Sequence, residues 1–88
     1  MAYSVLYSSQ SEKYLTRLTP SKSKRILTRI ENLSKNPFET DNNVVRLSGT
    51  DTSFGLRIGD IGIIYFIDLE NKSIYVTKIA PRGSAYSS

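Results

Sequence analysis

Leu56-Arg57-Ile58-Gly59-Asp60-Ile61-Gly62-Ile63-Ile64-Tyr65 decides how this chain is read. Apolar residues alternate with Gly and Arg up to Gly59-Asp60, a pair suited to a two-residue turn, and a β-branched return strand follows. On the first of these strands Phe54, Leu56 and Ile58 point one way, while Gly55, Arg57 and Gly59 point the other. The return strand matches, with Ile63, Tyr65 and Ile67 on the core side and Gly62, Ile64 and Phe66 beside Arg57. An open face with one Arg, glycines and exposed Ile64 and Phe66 reads as a surface that a partner covers, since small monomers rarely leave such a patch bare.

The pattern extends outward in both directions. Strand candidates run from Val44 to Ser48, Phe54 to Ile58, Ile61 to Asp68 and Ser73 to Ala80, joined by Gly49-Thr50-Asp51-Thr52, Gly59-Asp60 and Leu69-Glu70-Asn71-Lys72. Connections this short force antiparallel neighbours. Upstream, Tyr3 to Tyr7 alternates as a first strand, and Ser8, Ser9 and Ser11 offer N-cap oxygens for a helix from about Ser9 to Leu18. Thr19-Pro20-Ser21 breaks that helix and starts a second, Pro20 to Lys35, with Ile26, Ile30 and Leu33 at i, i+4 and i+7. Asn36-Pro37 ends it, because the residue before Pro is pushed out of helical conformation, and Phe38 to Asn43 reads as a polar loop. The order β-α-α-β-β-β-β predicts one α+β domain over residues 1–88, an antiparallel β-sheet with an N-terminal two-helix hairpin packed on one face. The first strand is expected at an edge or in the middle of that sheet.

Composition narrows the chemistry. The 88 residues contain no His and no Cys, so disulfides, thiolate chemistry and the usual zinc anchors are excluded, and neither metal nor cofactor is expected. What remains is Arg, Lys, Tyr and carboxylates, a set suited to phosphate and RNA. The longest nearly continuous apolar run, Ile61 to Ile67, is far short of the roughly 20 residues of a membrane span. With no signal-peptide pattern at the N-terminus, a cytoplasmic protein without membrane contact is expected. Net charge is +4, and seven of the twelve basic residues fall between Lys13 and Lys35. Lys22, Arg25 and Arg29 lie on a different side of the second helix from its apolar stripe. Such a run is either a solvated helix face or a phosphate-contacting one, and the sequence leaves both open.

Together with Leu33-x-x-Asn36-Pro37, Leu47-x-Gly49 and the closing Arg82 and Tyr86, the hairpin resembles the RelE superfamily of bacterial and archaeal toxins over nearly the whole chain. That superfamily includes RelE-type messenger-RNA endonucleases and ParE-type gyrase inhibitors. The RelE branch implies a ribosome-dependent, metal-independent cut, in which a 2′-hydroxyl attacks the adjacent phosphate in the ribosomal A site. Arg57 and Arg82 then stand at catalytic positions and stabilise phosphorane charge, and Tyr86 stacks on a base or assists proton transfer. Neither Arg serves as general base, since free guanidinium titrates above ~12. Lys22, Lys24, Arg25, Arg29 and Arg46 become the RNA-binding candidates. The resemblance also implies a cognate acidic antitoxin, partly disordered alone, that forms a hetero-oligomer over Ile64 and Phe66.

The chain departs from the pattern at two places. An aromatic-Arg pair usually precedes the buried Ile-Ile-Tyr run, and here those positions are Ile61 and Gly62; a strand Lys of some members is Gly55. Gly62 is unfavourable inside a strand and removes a cation, which implies a weakened or inactive nuclease, unless it serves a bulge or a close backbone approach. The alternatives are a ParE-like gyrase inhibitor without nuclease activity and a degenerate protein that only binds an antitoxin.

Overall fold

The computed structural model describes residues 2–38, 43–47 and 52–85. Strands β1 (Ser4–Tyr7), β2 (Val44–Arg46), β3 (Ser53–Ile58), β4 (Ile61–Asp68) and β5 (Ser73–Pro81) form one sheet in the order β1-β5-β4-β3-β2. Helices α1 (Ser9–Arg17) and α2 (Pro20–Lys35) lie between β1 and β2 in sequence, and a four-residue α3 (Arg82–Ala85) follows β5. The expected antiparallel meander is β2 to β5, and β1 joins it at the edge, parallel to β5. The sheet is therefore mixed. The two-helix connection between β1 and the rest gives the chain the crossover length that parallel pairing requires. The α3 turn has no counterpart among the elements that the sequence predicts.

Local chemistry explains the boundaries. Ser8 caps α1 by accepting the Ser11 N–H at 3.1 Å, and Thr19 caps α2, whose first residue is Pro20. At the other end of α2 the Asn36 N–H donates to the Leu33 carbonyl at 3.1 Å, and Leu33 itself is buried. Gly59 opens the β3–β4 turn with φ of +58°, a conformation that the first position of a tight hairpin demands and that side chains with a Cβ resist. In the β4–β5 turn the Asp68 carboxylate accepts the Asn71 N–H at 3.1 Å and Asn71 Nδ2 at 2.8 Å. Those bonds hold its pKa below the usual carboxylate range. The turn therefore keeps these bonds through the usual carboxylate range and loosens only as pH falls below it.

The core lies between the sheet and the helices. Ile26, Ile30 and Leu33 of α2 pack with Phe54, Leu56, Ile58, Ile63, Tyr65 and Ile67 from the hairpin and Ile74, Val76 and Ile79 from β5. The faces predicted for β3 and β4 are the faces observed. One register shift interrupts the sheet, between Ile64 and Tyr65, where Ile64 pairs with Lys78 and Tyr65 with Val76. The extra residue is Thr77 on β5, so the bulge is not at Gly62. Arg57 pairs directly with Gly62, and Gly62 with Ala80.

Gln10 extends the sheet where β1 has ended. Its Nε2 donates to the Ile79 carbonyl at 2.7 Å, and the Ile79 N–H donates to its Oε1 at 3.0 Å. One side-chain amide thus stands in for a strand residue. Gln10→Ala is expected to lower stability by about 1–2 kcal/mol, from two broken bonds at a part-buried backbone. Urea unfolding measures that loss. Amide exchange at Ile79 should quicken in the same variant, whereas unchanged protection there would mean that water replaces the side chain.

Candidate functional site

Strand alternation buries Leu56 and Ile58 against α2 and sends Arg57 to the opposite, open face. Arg57 is half-buried, and its backbone N–H donates to the carbonyl of Asn43, the residue before β2, at 2.8 Å. The neighbours across its row are Gly62 and Ala80, a small flank for a long side chain. Arg82 arrives from the other direction. Its N–H donates to the Asp60 carbonyl at 2.8 Å, so the Gly59-Asp60 turn both reverses the hairpin and fixes the chain as it leaves β5. Arg57 and Arg82 consequently line one cavity of about 210 Å³ with Val45 and Leu47. Two guanidinium groups over an apolar floor can hold a phosphodiester by charge and a sugar or base by contact.

Arg57 also lines a second cavity, of about 360 Å³, between α2 and the end of β3, with Arg25, Arg29, Asn32 and Asn43. The basic helix and the open-face arginine, separate features in the sequence, are thereby joined into one polar track around the short β2. Lys22 lies with Arg25 at a small recess beside Gly59 and Asp60. Lys24 is exposed and lines neither cavity. Arg46 is exposed but pairs with Phe54, on the helix side of the sheet, so it does not join Arg57 and Arg82. Tyr86 lies outside the described residues, as does Gly49 of the Leu47-x-Gly49 motif.

The open face is less bare than its sequence suggests. Ile64 and Phe66 were expected to be exposed, but both are half-buried, and the Phe66 ring stacks on Tyr75 at 5.5 Å between centroids. Tyr75 pairs with Phe66 on one side and with Leu6 on the other. The exposed apolar side chains on this face are Leu6 and Val45, 53% and 42% exposed, at its two edges. Sequence reasoning missed Val45 and Leu47 as the floor of the arginine cavity. Their alternation with Val44 and Arg46 carried the signal, but β2 has three residues, too few for a periodicity to stand out.

This α+β fold has solved counterparts. RelE in the RelE–RelB complex of Pyrococcus horikoshii OT3 superposes with a TM-score of 0.82 at 30% identity, covering 96% of this chain and 99% of that one. A free-state double mutant of E. coli RelE shares the fold, with a TM-score of 0.78 at 15% identity, over 98% of this chain and 88% of that one. No family model matches the sequence. Among curated proteins, RelE1 of Methanocaldococcus jannaschii is 31% identical over 87 residues, which span 98% of this chain and 97% of that protein. The chain belongs to the RelE toxin family.

Proposed function

We propose that this protein is the toxin of a toxin–antitoxin pair, a cytoplasmic, ribosome-dependent and metal-independent mRNA endonuclease with a cation set depleted at Gly62. The observation that carries the reading is the shared cavity of Arg57 and Arg82 on the sheet face opposite the helices. A phosphate seated there is flanked by two fixed cations, and charge developing on its non-bridging oxygens is stabilised without metal. The guanidinium groups supply no base, so a group of the ribosome takes the 2′-hydroxyl proton as its oxygen bonds to phosphorus. The bond to the 5′-oxygen breaks, a 2′,3′-cyclic phosphate forms, and Tyr86 or water delivers a proton to the leaving 5′-oxygen. The relatives support this branch over the gyrase-inhibiting one, because the similar proteins of Pyrococcus and Methanocaldococcus, about 30% identical, carry the RelE name.

The antitoxin reading draws support from the Pyrococcus protein, which was solved with RelB. On this chain the apolar row Leu6, Tyr75 and Phe66, continued by Ile64 and Val45, suits an amphipathic segment whose acidic residues neutralise Arg57 and Arg82. The test of the whole reading is primer extension on a translated message. Cuts that arise only when the message is being translated support it, and supercoiling loss in a gyrase assay without any cut replaces it with the ParE-like alternative.

The cavity against α2 is assigned to ribosomal RNA. Reversing Arg25 and Arg29 to Glu is expected to weaken ribosome co-sedimentation and to flatten its dependence on salt, by a slope of about 0.7–0.9 for each phosphate no longer neutralised. Arg25 is exposed, so folding should change little for that half of the pair. Association that ignores both reversals leaves α2 as a solvated face.

A further inference from the structure

The β5 bulge puts a third cation on the face that carries Arg57 and Arg82. Val76 and Ile79 are both buried in the core, at 1% and 0% exposure, although three positions separate them. An unbroken strand would turn Lys78 toward the core with Val76. Because Thr77 is the extra residue, Lys78 instead pairs with Ile64 and shares its open face. The bulge is fastened on both sides: Thr77 Oγ1 donates to the Ile64 carbonyl at 3.1 Å, and the Thr77 carbonyl accepts Ser8 Oγ at 2.9 Å. Two separate side chains thus hold the irregularity that aims Lys78.

Lys78 stands two residues before Ala80 on β5, and Arg82 follows two residues after it. Arg57 is two strands away in the Ala80 row. From strand spacing and rise, the Lys78 and Arg57 Cα atoms lie about 12 Å apart, a gap that two long side chains close onto one ligand. The three cations stand around Gly62 and Ala80, two small residues that are themselves buried. We propose that Lys78 is a phosphate-contacting residue of this site, holding the phosphate next to the one between Arg57 and Arg82 on a single-stranded RNA. The inference rests on the RNA reading above, and its ligand class is the phosphodiester backbone rather than any base.

The probe is a short single-stranded oligoribonucleotide with 2′-O-methyl groups, which binds but cannot be cut, titrated at several salt concentrations by fluorescence anisotropy. Lys78→Gln is expected to weaken binding and to lower the slope of log K against log salt by about 0.7, the value for one phosphate on a single strand. Lys78→Arg should keep the slope. Lys72→Gln, an equal change of net charge in the exposed β4–β5 turn, should leave it unchanged. On the unaltered protein, the oligoribonucleotide should shield the Lys78 amine from reductive methylation. A Lys78→Gln slope equal to that of the parent, or a Lys78 amine labelled equally with and without RNA, overturns the proposal. A protein that binds no free RNA overturns this proposal, while primer extension on translating ribosomes decides the nuclease reading separately. RNA binding that depends on Lys78, with no cut on translating ribosomes, upholds this role and removes only the nuclease.

Discussion

Gly62→Arg is expected to raise cleavage of translated mRNA by about 10²–10³, the usual effect of one preorganised charge-stabilising donor. Gly62 lies within β4, where the backbone is extended, but it is buried, so an added side chain must move aside whatever covers it. Gly62 pairs with Arg57, and residues in register share a face, so the new guanidinium enters the cavity side of the sheet. It must extend past α3, which lies against β4 and β5 and is only four residues long. Primer extension on translating ribosomes reads the result, with toxicity on expression as a second readout. Arg82→Ala in the same background should abolish the gain, because the phosphate would lose its other fixed partner. A folded, ribosome-binding Gly62→Arg protein that still cuts nothing would remove the depleted-nuclease reading and leave the gyrase-inhibiting and purely antitoxin-binding ones.

Leu56→Ala is expected to cost about 3 kcal/mol, within the range for a fully buried leucine. Leu56 is 0% exposed, beneath α2 and directly before Arg57. Domains of this size hold roughly 5–15 kcal/mol in total, so one side chain carries a large share. The midpoint of thermal unfolding should fall by more than about 10 °C. Circular dichroism on heating measures it, and a shift of a degree or two would mean that α2 collapses into the space. Arg57→Gln, one residue on, should leave the midpoint nearly unchanged while removing activity, which separates the two faces of β3.

Most of the architecture was legible because the apolar periods are clean. Ile26, Ile30 and Leu33 announce α2, whose observed limits, Pro20 and Lys35, are those read from the sequence. Phe54, Leu56 and Ile58 announce the face of β3, and Gly59-Asp60 announces its turn. The parallel placement of β1 was not legible, since Tyr3 to Tyr7 carries no mark of its neighbour and the partner strand lies some 70 positions away. The β5 bulge left a trace that went unread: core residues at 74, 76 and 79 break a period of two. Arg57 and Arg82 were legible as residues, yet their shared cavity depends on the bond from Arg82 to Asp60, a backbone interaction with no sequence signature. The half-burial of Phe66 follows from Tyr75, a cross-strand neighbour whose register had to be known first.

The pairing of β1 with β5 has a consequence for how the protein is made. The first strand finds its partner only when residues 73–76 exist, and Gln10 waits for Ile79. Pairings of such long range close late and slowly. β5 occupies the position between β1 and β4, so a chain still under synthesis can build helices and the β3–β4 hairpin but not the finished sheet. Arg82 meets Asp60 only after that last strand has docked. The two arginines are therefore apart until β5 has docked between β1 and β4, so the site forms only together with the finished sheet.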